Sequence, residues 1–202
     1  MKEKIKDMYD RCAGDYNKHM LDTKHYEAQS RILKKLKTHI NKPILDVACG
    51  PGFMLTELHK EFSSVFGNDF SEEMIKIAKQ NNPEIAITNE DAEILESYNN
   101  KFGTIISSYL MFYLQDHDKA LKKWQELLKE DGTLIIIDEY PFQYPKNSGF
   151  GEHSDILAEV IRPLSPEEII KLAENNGFIL KTKEKTEIDA KHSLYGMAFS
   201  KR

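Results

Sequence analysis

Ile44-Leu45-Asp46-Val47-Ala48-Cys49-Gly50-Pro51-Gly52-Phe53 is the stretch that decides how this chain folds. Pro43 breaks the helical pattern before it, a short and largely apolar run follows, and Ala48 to Gly52 supply a turn with two glycines. Phe53 to Phe62 then reads as a helix. A strand running through a glycine turn into a helix is the opening unit of a parallel α/β sheet, because parallel strands need a crossover between them. Glycine also lets backbone approach a ligand closely, and the helix N-terminus offers free N–H groups to it. Gly50 and Gly52 are thus candidate binding residues as well as turn residues.

Working outward, Val65-Phe66-Gly67-Asn68 predicts a second strand, and Ser71-Glu72-Glu73 starts a helix with an N-cap and an acidic first turn. Ile85-Ala86-Ile87 and Thr104 to Ser108 continue as strands. A helix follows with Ala120, Leu121, Trp124, Leu127 and Leu128 on its apolar face, and Asp131-Gly132 is expected to end it. Trp124 belongs to the core by that spacing. Leu134-Ile135-Ile136-Ile137 is too apolar for a strand wetted on one side and predicts a central strand covered on both faces. Two charged amphipathic stretches, Lys2 to Met20 and Leu21 to Ile40, predict helices ahead of the sheet. Tyr140 to Leu164 reads as irregular, with Pro141, Pro145, Gly149, Gly151 and Pro163, and with helix only within Ser154 to Ile161. Ser165-Pro166-Glu167-Glu168 starts a last helix that Gly177 stops, and Phe178 to Thr186 and Ser193 to Ser200 close the chain as strands.

Composition narrows the function classes. The chain has 202 residues, 40% hydrophobic and 30% charged, which suits one ordinary globular domain spanning 1–202. Its 28 basic against 33 acidic residues leave a formal charge of -5, so no basic field draws nucleic acid. Cys12 and Cys49 are far apart and in no metal-ligand spacing, so neither a disulfide nor a metal site is expected and a cytoplasmic setting fits. No segment reads as a signal peptide or membrane span.

Asp69 stands at the end of the second strand, 19 positions after Gly50 (69 − 50), where a carboxylate can accept hydrogen bonds from both hydroxyls of a ribose. A nucleoside cofactor is implied. Over nearly its whole length the chain resembles the class I S-adenosylmethionine-dependent methyltransferases. Ile44 to Phe53 is similar to that family's first motif, Val65 to Met74 to its second, Asn89-Glu90-Asp91-Ala92 to its third, and Phe102 to Leu114 and Leu127 to Asp138 to its later strands. The resemblance implies a Rossmann-like, seven-stranded, mostly parallel sheet with helices on both faces, its last strand antiparallel. It implies S-adenosylmethionine as cofactor, with Asp46 near the methionine end, Asp69 on the ribose, Phe70 and Met74 flanking the adenine, and Asp91 beside the adenine amino group. Ala48, Cys49, Ala92 and Ser107 complete the implied cofactor set; Cys49 stands where the family packs a small residue into the turn.

Within the class the chain resembles the compact ubiquinone and menaquinone biosynthesis methyltransferases, including Tyr9 to Asn17, whose equivalent helix closes over the cofactor. Residues 1–40 are therefore expected to form a helical lid and 140–164 a substrate-side loop. Tyr16 has two readings, core aromatic or lid residue touching the cofactor. Two departures stand out: Gly103 replaces an acidic residue, and Phe112-Tyr113 replaces paired histidines. The motif of amino-group DNA methyltransferases is absent, Ser107-Ser108-Tyr109-Leu110 standing in its place. The expected acceptor is a small molecule, held in a monomer or homodimer beyond the fourth and fifth strands. Tyr109, Tyr113 and Glu139 are the candidate catalytic groups there, with Phe112, Tyr140, Phe142 and Tyr144 as aromatic cover. Two rival readings stay open at this point: a non-catalytic protein that binds the same cofactor, and a nicotinamide-dependent oxidoreductase, against which Leu55 counts because that fingerprint wants a small residue there.

Overall fold

Alternate residues of the central strands enter different cores, which is what a sheet covered on both faces requires. Leu45, Val47, Ile105, Leu134 and Ile136 join one buried cluster, while Ile44, Ile106, Ile135 and Ile137 join the other. The computed structural model describes residues 1–99, 101–142, 144 and 150–202, with only the backbone of 154 and 155. The expected breakers Pro145 and Gly149 lie outside the described residues.

Seven strands run in the order β3-β2-β1-β4-β5-β7-β6, where β1 is Ile44–Val47, β2 Val65–Asp69, β3 Ala86–Asn89, β4 Phe102–Ser108, β5 Leu128–Tyr140, β6 Phe178–Glu187 and β7 Ser193–Lys201. The pairs from β3 to β5 are parallel, and β7 is antiparallel to both β5 and β6. The order turns outward on either side of β1 and β4, the switch point where open α/β sheets hold ligands. Helices α1 (Lys2–Asp22), α5 (His117–Leu127), α6 (Ser154–Val160) and α7 (Pro166–Asn175) contribute to the first core. Helices α2 (His25–Leu36), α3 (Phe53–His59) and α4 (Glu72–Asn81) contribute to the second.

Local chemistry explains the boundaries. The Ser71 hydroxyl accepts the Met74 N–H at the start of α4, and Ser165 with Glu168 forms a reciprocal capping box on α7, with Pro166 in its first turn. Trp124 is fully buried and donates its indole N–H to the Ala92 carbonyl at 2.9 Å. One expected boundary moves. Helix α5 ends at Leu127, ahead of Asp131-Gly132, because Leu128 already lies in the sheet opposite Phe102. The exposed residues 129–131 then loop out before Thr133 pairs with Thr104.

Gly103 has a steric reason. A Cβ there would stand 2.6 Å from the Asn41 carbonyl oxygen and 2.8 Å from that of Lys42, both backbone atoms. The chain entering β1 packs on this spot, with the Gly103 N–H bonded to the Pro43 carbonyl at 2.8 Å. Gly103→Ala is therefore expected to destabilise the domain by about 1–3 kcal/mol in chemical denaturation, without altering the far-ultraviolet spectrum of what stays folded.

Candidate active site

The turn after β1 is left-handed at three residues, Ala48 at φ 57°, Gly50 at φ 53° and Gly52 at φ 86°. That conformation is cheap for glycine and costly for alanine. Gly52 also sits against α4, where a Cβ would come within 2.7 Å of the Asn82 amide and 3.1 Å of Ala78. Asn82 donates to the Gly52 carbonyl at 3.1 Å and accepts from the Thr56 hydroxyl at 2.9 Å, so the turn is tied to the far end of α4.

Asp69 holds the other side. One carboxylate oxygen accepts the Gly50 N–H at 2.8 Å and the other the Ser71 N–H at 2.9 Å. Beside it, Asn68 donates to the Glu90 carbonyl at 2.7 Å. Burial pushes the Asp69 carboxyl up to about 6, against the opposing pull of its backbone donors.

These residues open onto a cleft that is partly open to solvent. Tyr16, Ala48, Gly50, Asp69, Phe70, Met74, Asp91, Ala92, Tyr109 and Tyr113 all line it. Asp46 and Cys49 lie instead on a small adjoining cavity, which shares Tyr16, Ala48, Gly50 and Tyr109 with the cleft. Asp46 is 1% exposed with neither carboxylate oxygen partnered among the described residues, and burial, reinforced by the charge of Asp69, pushes its pKa well up. A buried carboxyl left without donors carries a charge only at a high cost. Gly52 and Ser107 line neither of these two spaces: Gly52 packs on α4, and Ser107 is buried in β4 while its neighbour Ser108 reaches the cleft.

A third cavity lies past Tyr16 and Tyr109, walled by α1, α2 and the segments after β4 and β5. It collects Tyr113, Phe112, Phe142 and Glu139, while Tyr140 is 39% exposed and points away. Tyr144 packs on the first core. Tyr16 and Tyr109 thus stand at the junction of all three spaces. Tyr109 is held in the left-handed region at φ 54°, its N–H bonded to the Ile137 carbonyl at 2.9 Å. Such backbone strain in a non-glycine residue clusters at functional sites. Its buried hydroxyl has no partner among the described residues, and burial raises the pKa of Tyr16, Tyr109 and Tyr113 well above the usual phenol value.

Helix α1 forms one wall of the cleft through Lys2, Ile5, Lys6, Tyr9 and Tyr16. Lys2 pairs with Asp91 at 2.5 Å and Glu93 at 2.6 Å, and Asp10 accepts from the Ser71 hydroxyl at 2.6 Å. The Tyr9 hydroxyl donates to that of Tyr113 at 2.6 Å. Lys2, Asp10, Asn68, Glu93, His19 and His25 were not legible as site residues, because each takes its meaning from a partner distant in the chain. Asn68 alone had a local cue, a polar residue inside an otherwise apolar strand. Among the described residues no group of three acidic, histidine or cysteine side chains could hold a metal, Cys12 and Cys49 are free and buried, and no helix is long and apolar enough to cross a membrane.

The sheet order, the glycine turn and the cleft at the switch point are the marks of a nucleoside-binding α/β enzyme. Residues 44–132 match the methyltransferase domain family. The chain is 31% identical over 159 residues to a ubiquinone biosynthesis O-methyltransferase of Coxiella burnetii, covering 69% of this chain and 64% of that one. It is 25% identical over 146 residues to a demethylmenaquinone methyltransferase of Staphylococcus saprophyticus, covering 68% and 63%. The chain thus spans less than two thirds of the length of either relative. A crystal structure of a Thermotoga maritima S-adenosylmethionine-dependent methyltransferase, described as a possible histamine N-methyltransferase, superposes with a TM-score of 0.74 at 19% identity, over 98% of this chain and 99% of that one. Over residues 44–132 the chain carries a methyltransferase domain. That result sets the nicotinamide reading aside.

The Asp69 environment has a measurable signature. Its folded pKa of about 6 lies above the usual carboxylate value near 3.8, so between those pH values the folded state holds a proton that the unfolded chain has released. The contribution of Asp69 is then most favourable below that window and declines as pH rises through it, by up to about 3 kcal/mol. Denaturant titrations of the wild type and Asp69→Asn from pH 4 to 7 are expected to show the wild type losing ground to the variant with rising pH; a constant difference would refute the shift.

Proposed function

We propose that this protein transfers the methyl group of S-adenosylmethionine to a small-molecule acceptor. The observation that carries the reading is the Asp69 carboxylate, buried at the C-terminal end of β2 beside the Gly50 turn and lining the cleft at the switch point. Bound there, the cofactor would supply an already activated methyl group on a sulfonium. Asp69 would take the ribose hydroxyls, Phe70 and Met74 would flank the adenine with Ala92 beside it, and Asp91 would accept from the adenine amino group. Asp46, with Ala48, Cys49 and Gly50 around it, would receive the ammonium of the methionine end. The unpartnered Asp46 oxygens fit that group, because they lack the donors that a buried carboxylate needs. Ser107 and Gly52 would act through the packing of β4 and the turn.

What the chain must do is position the acceptor and exclude water. Helix α1 supports the lid reading: five of its residues line the cleft, and Lys2 occupies the Asp91 carboxylate that the adenine amino group would share. The loop 140–164 would cover the acceptor side. Tyr109 and Tyr113 would orient the acceptor as neutral phenols, whose pKa values burial raises well above the usual range. We place the protein in the cytoplasm as a monomer or homodimer, with no nucleic-acid or membrane partner.

Calorimetry tests this reading. S-adenosylhomocysteine is expected to bind and NADH to give no heat, and Asp69→Ala is expected to weaken binding at least about tenfold through the loss of charge-assisted hydrogen bonds. Because the ribose hydroxyls donate to the ionised carboxylate, affinity should be flat above pH about 6 and fall as Asp69 takes a proton below it. Binding of NADH alone would overturn the proposal.

A further inference from the structure

The cavity past Tyr16 and Tyr109 contains a carboxylate with one oxygen that the fold leaves without a donor. Glu139 is 5% exposed, and its Oε1 has no hydrogen-bond partner among the described residues. Its Oε2 faces His25 Nε2 at 3.4 Å. Thr23 sets the His25 ring. The single hydroxyl proton of Thr23 goes to the His19 carbonyl oxygen at 2.6 Å, so Thr23 Oγ1 accepts from His25 Nδ1, also at 2.6 Å. Neutral His25 consequently carries its lone pair on Nε2, on the Glu139 side of the ring.

Most of the remaining wall is aromatic. Tyr16 and Phe150 meet edge to face with centroids 5.1 Å apart, and Phe112 and Phe142 lie 5.0 Å apart. Among the described residues no lysine or arginine lines this cavity. A buried carboxylate inside an aromatic enclosure without a cation suits a positively charged ligand, which the carboxylate pairs and the ring faces attract.

We propose that this cavity takes a protonated amine as the methyl acceptor, with Glu139 holding the ammonium and His25 Nε2 receiving its proton. The inference rests on the methyltransferase reading above and adds the substrate class. The ammonium R–NH3⁺ gives one proton to His25, and the freed nitrogen lone pair forms the bond to the methyl carbon. The carbon–sulfur bond breaks with its electron pair staying on sulfur, which leaves a neutral thioether and R–NH2⁺–CH3. Positive charge thus passes to nitrogen and remains on the product, where Glu139 stabilises it as it develops. A hydroxyl acceptor gains no such benefit: its product is neutral, and its deprotonated form is repelled by Glu139.

Benzylamine and benzyl alcohol differ only in the group that would meet Glu139. Titrated into protein saturated with S-adenosylhomocysteine, benzylamine is expected to bind at least about tenfold more tightly, the effect of one buried charge pair. Glu139→Gln should erase that preference while leaving S-adenosylhomocysteine affinity within about twofold, since Glu139 lies on the other side of Tyr109 from the cleft. With S-adenosylmethionine, mass spectrometry should detect N-methylbenzylamine, and His25→Gln should lower kcat at least about tenfold with little change in KM. Equal affinities, no binding of benzylamine, or a preference that survives Glu139→Gln overturns the proposal; if that variant does not fold, the wild-type comparison decides alone. Methylation of benzyl alcohol with benzylamine untouched refutes the amine class but leaves the methyltransferase standing. Failure to bind S-adenosylhomocysteine refutes the reading beneath both.

Discussion

Two hydrogen bonds to the Asp69 carboxylate hold the centre of this molecule in shape. They join the N–H of Gly50, in the turn after β1, to the N–H of Ser71, at the cap of α4. Two successive crossover turns are thereby fixed to one side chain, and the cleft is the space between them and α1. Without that tie, the backbone donors of both turns would need other partners in a place that water reaches poorly. Desolvation raises the cost of the charge that makes the tie strong, so Asp69 combines a structural bond with a carboxyl that burial pushes up to about 6.

The parts of the fold that were legible from sequence are those dictated locally. Ile44 to Gly52 reads as strand and turn because the change from apolar run to glycine pair leaves no competing interpretation, and Leu134 to Ile137 reads as central because nothing polar interrupts it. Ser165 to Glu168 announces a helix start through cap chemistry alone. The end of α5 was misplaced because Asp131-Gly132 is a sound local stop, whereas the real stop is set by a sheet partner 26 residues earlier (128 − 102). Tertiary pairing won over local preference there.

The candidate site divides in the same way. Residues carried by the glycine turn and by the end of β2 were named because their spacing is part of a motif. Lys2, Asp10, His19 and His25 were missed because they sit on amphipathic helices whose polar faces read as solvated. Only the packing of α1 and α2 over the sheet brings Lys2 to Asp91 and His25 to Glu139. Tyr140 fails for a third reason. Strand alternation puts it on the opposite side from Glu139, so adjacency in sequence guarantees that only one of the two reaches the cavity. Gly103 is the reverse case, a departure from a family pattern that becomes intelligible once the backbone of Asn41 and Lys42 is seen against it.

Tyr16 and Tyr109 belong to every compartment of the site at once. Were each space to hold a ligand, any rotation or tightening of these rings that both ligands favour would link their affinities, and the assistance would be mutual and equal in both directions. The order of binding would then be a matter of rates, while the energetic link between the two compartments would be a property of two aromatic rings, one on α1 and one strained at the end of β4.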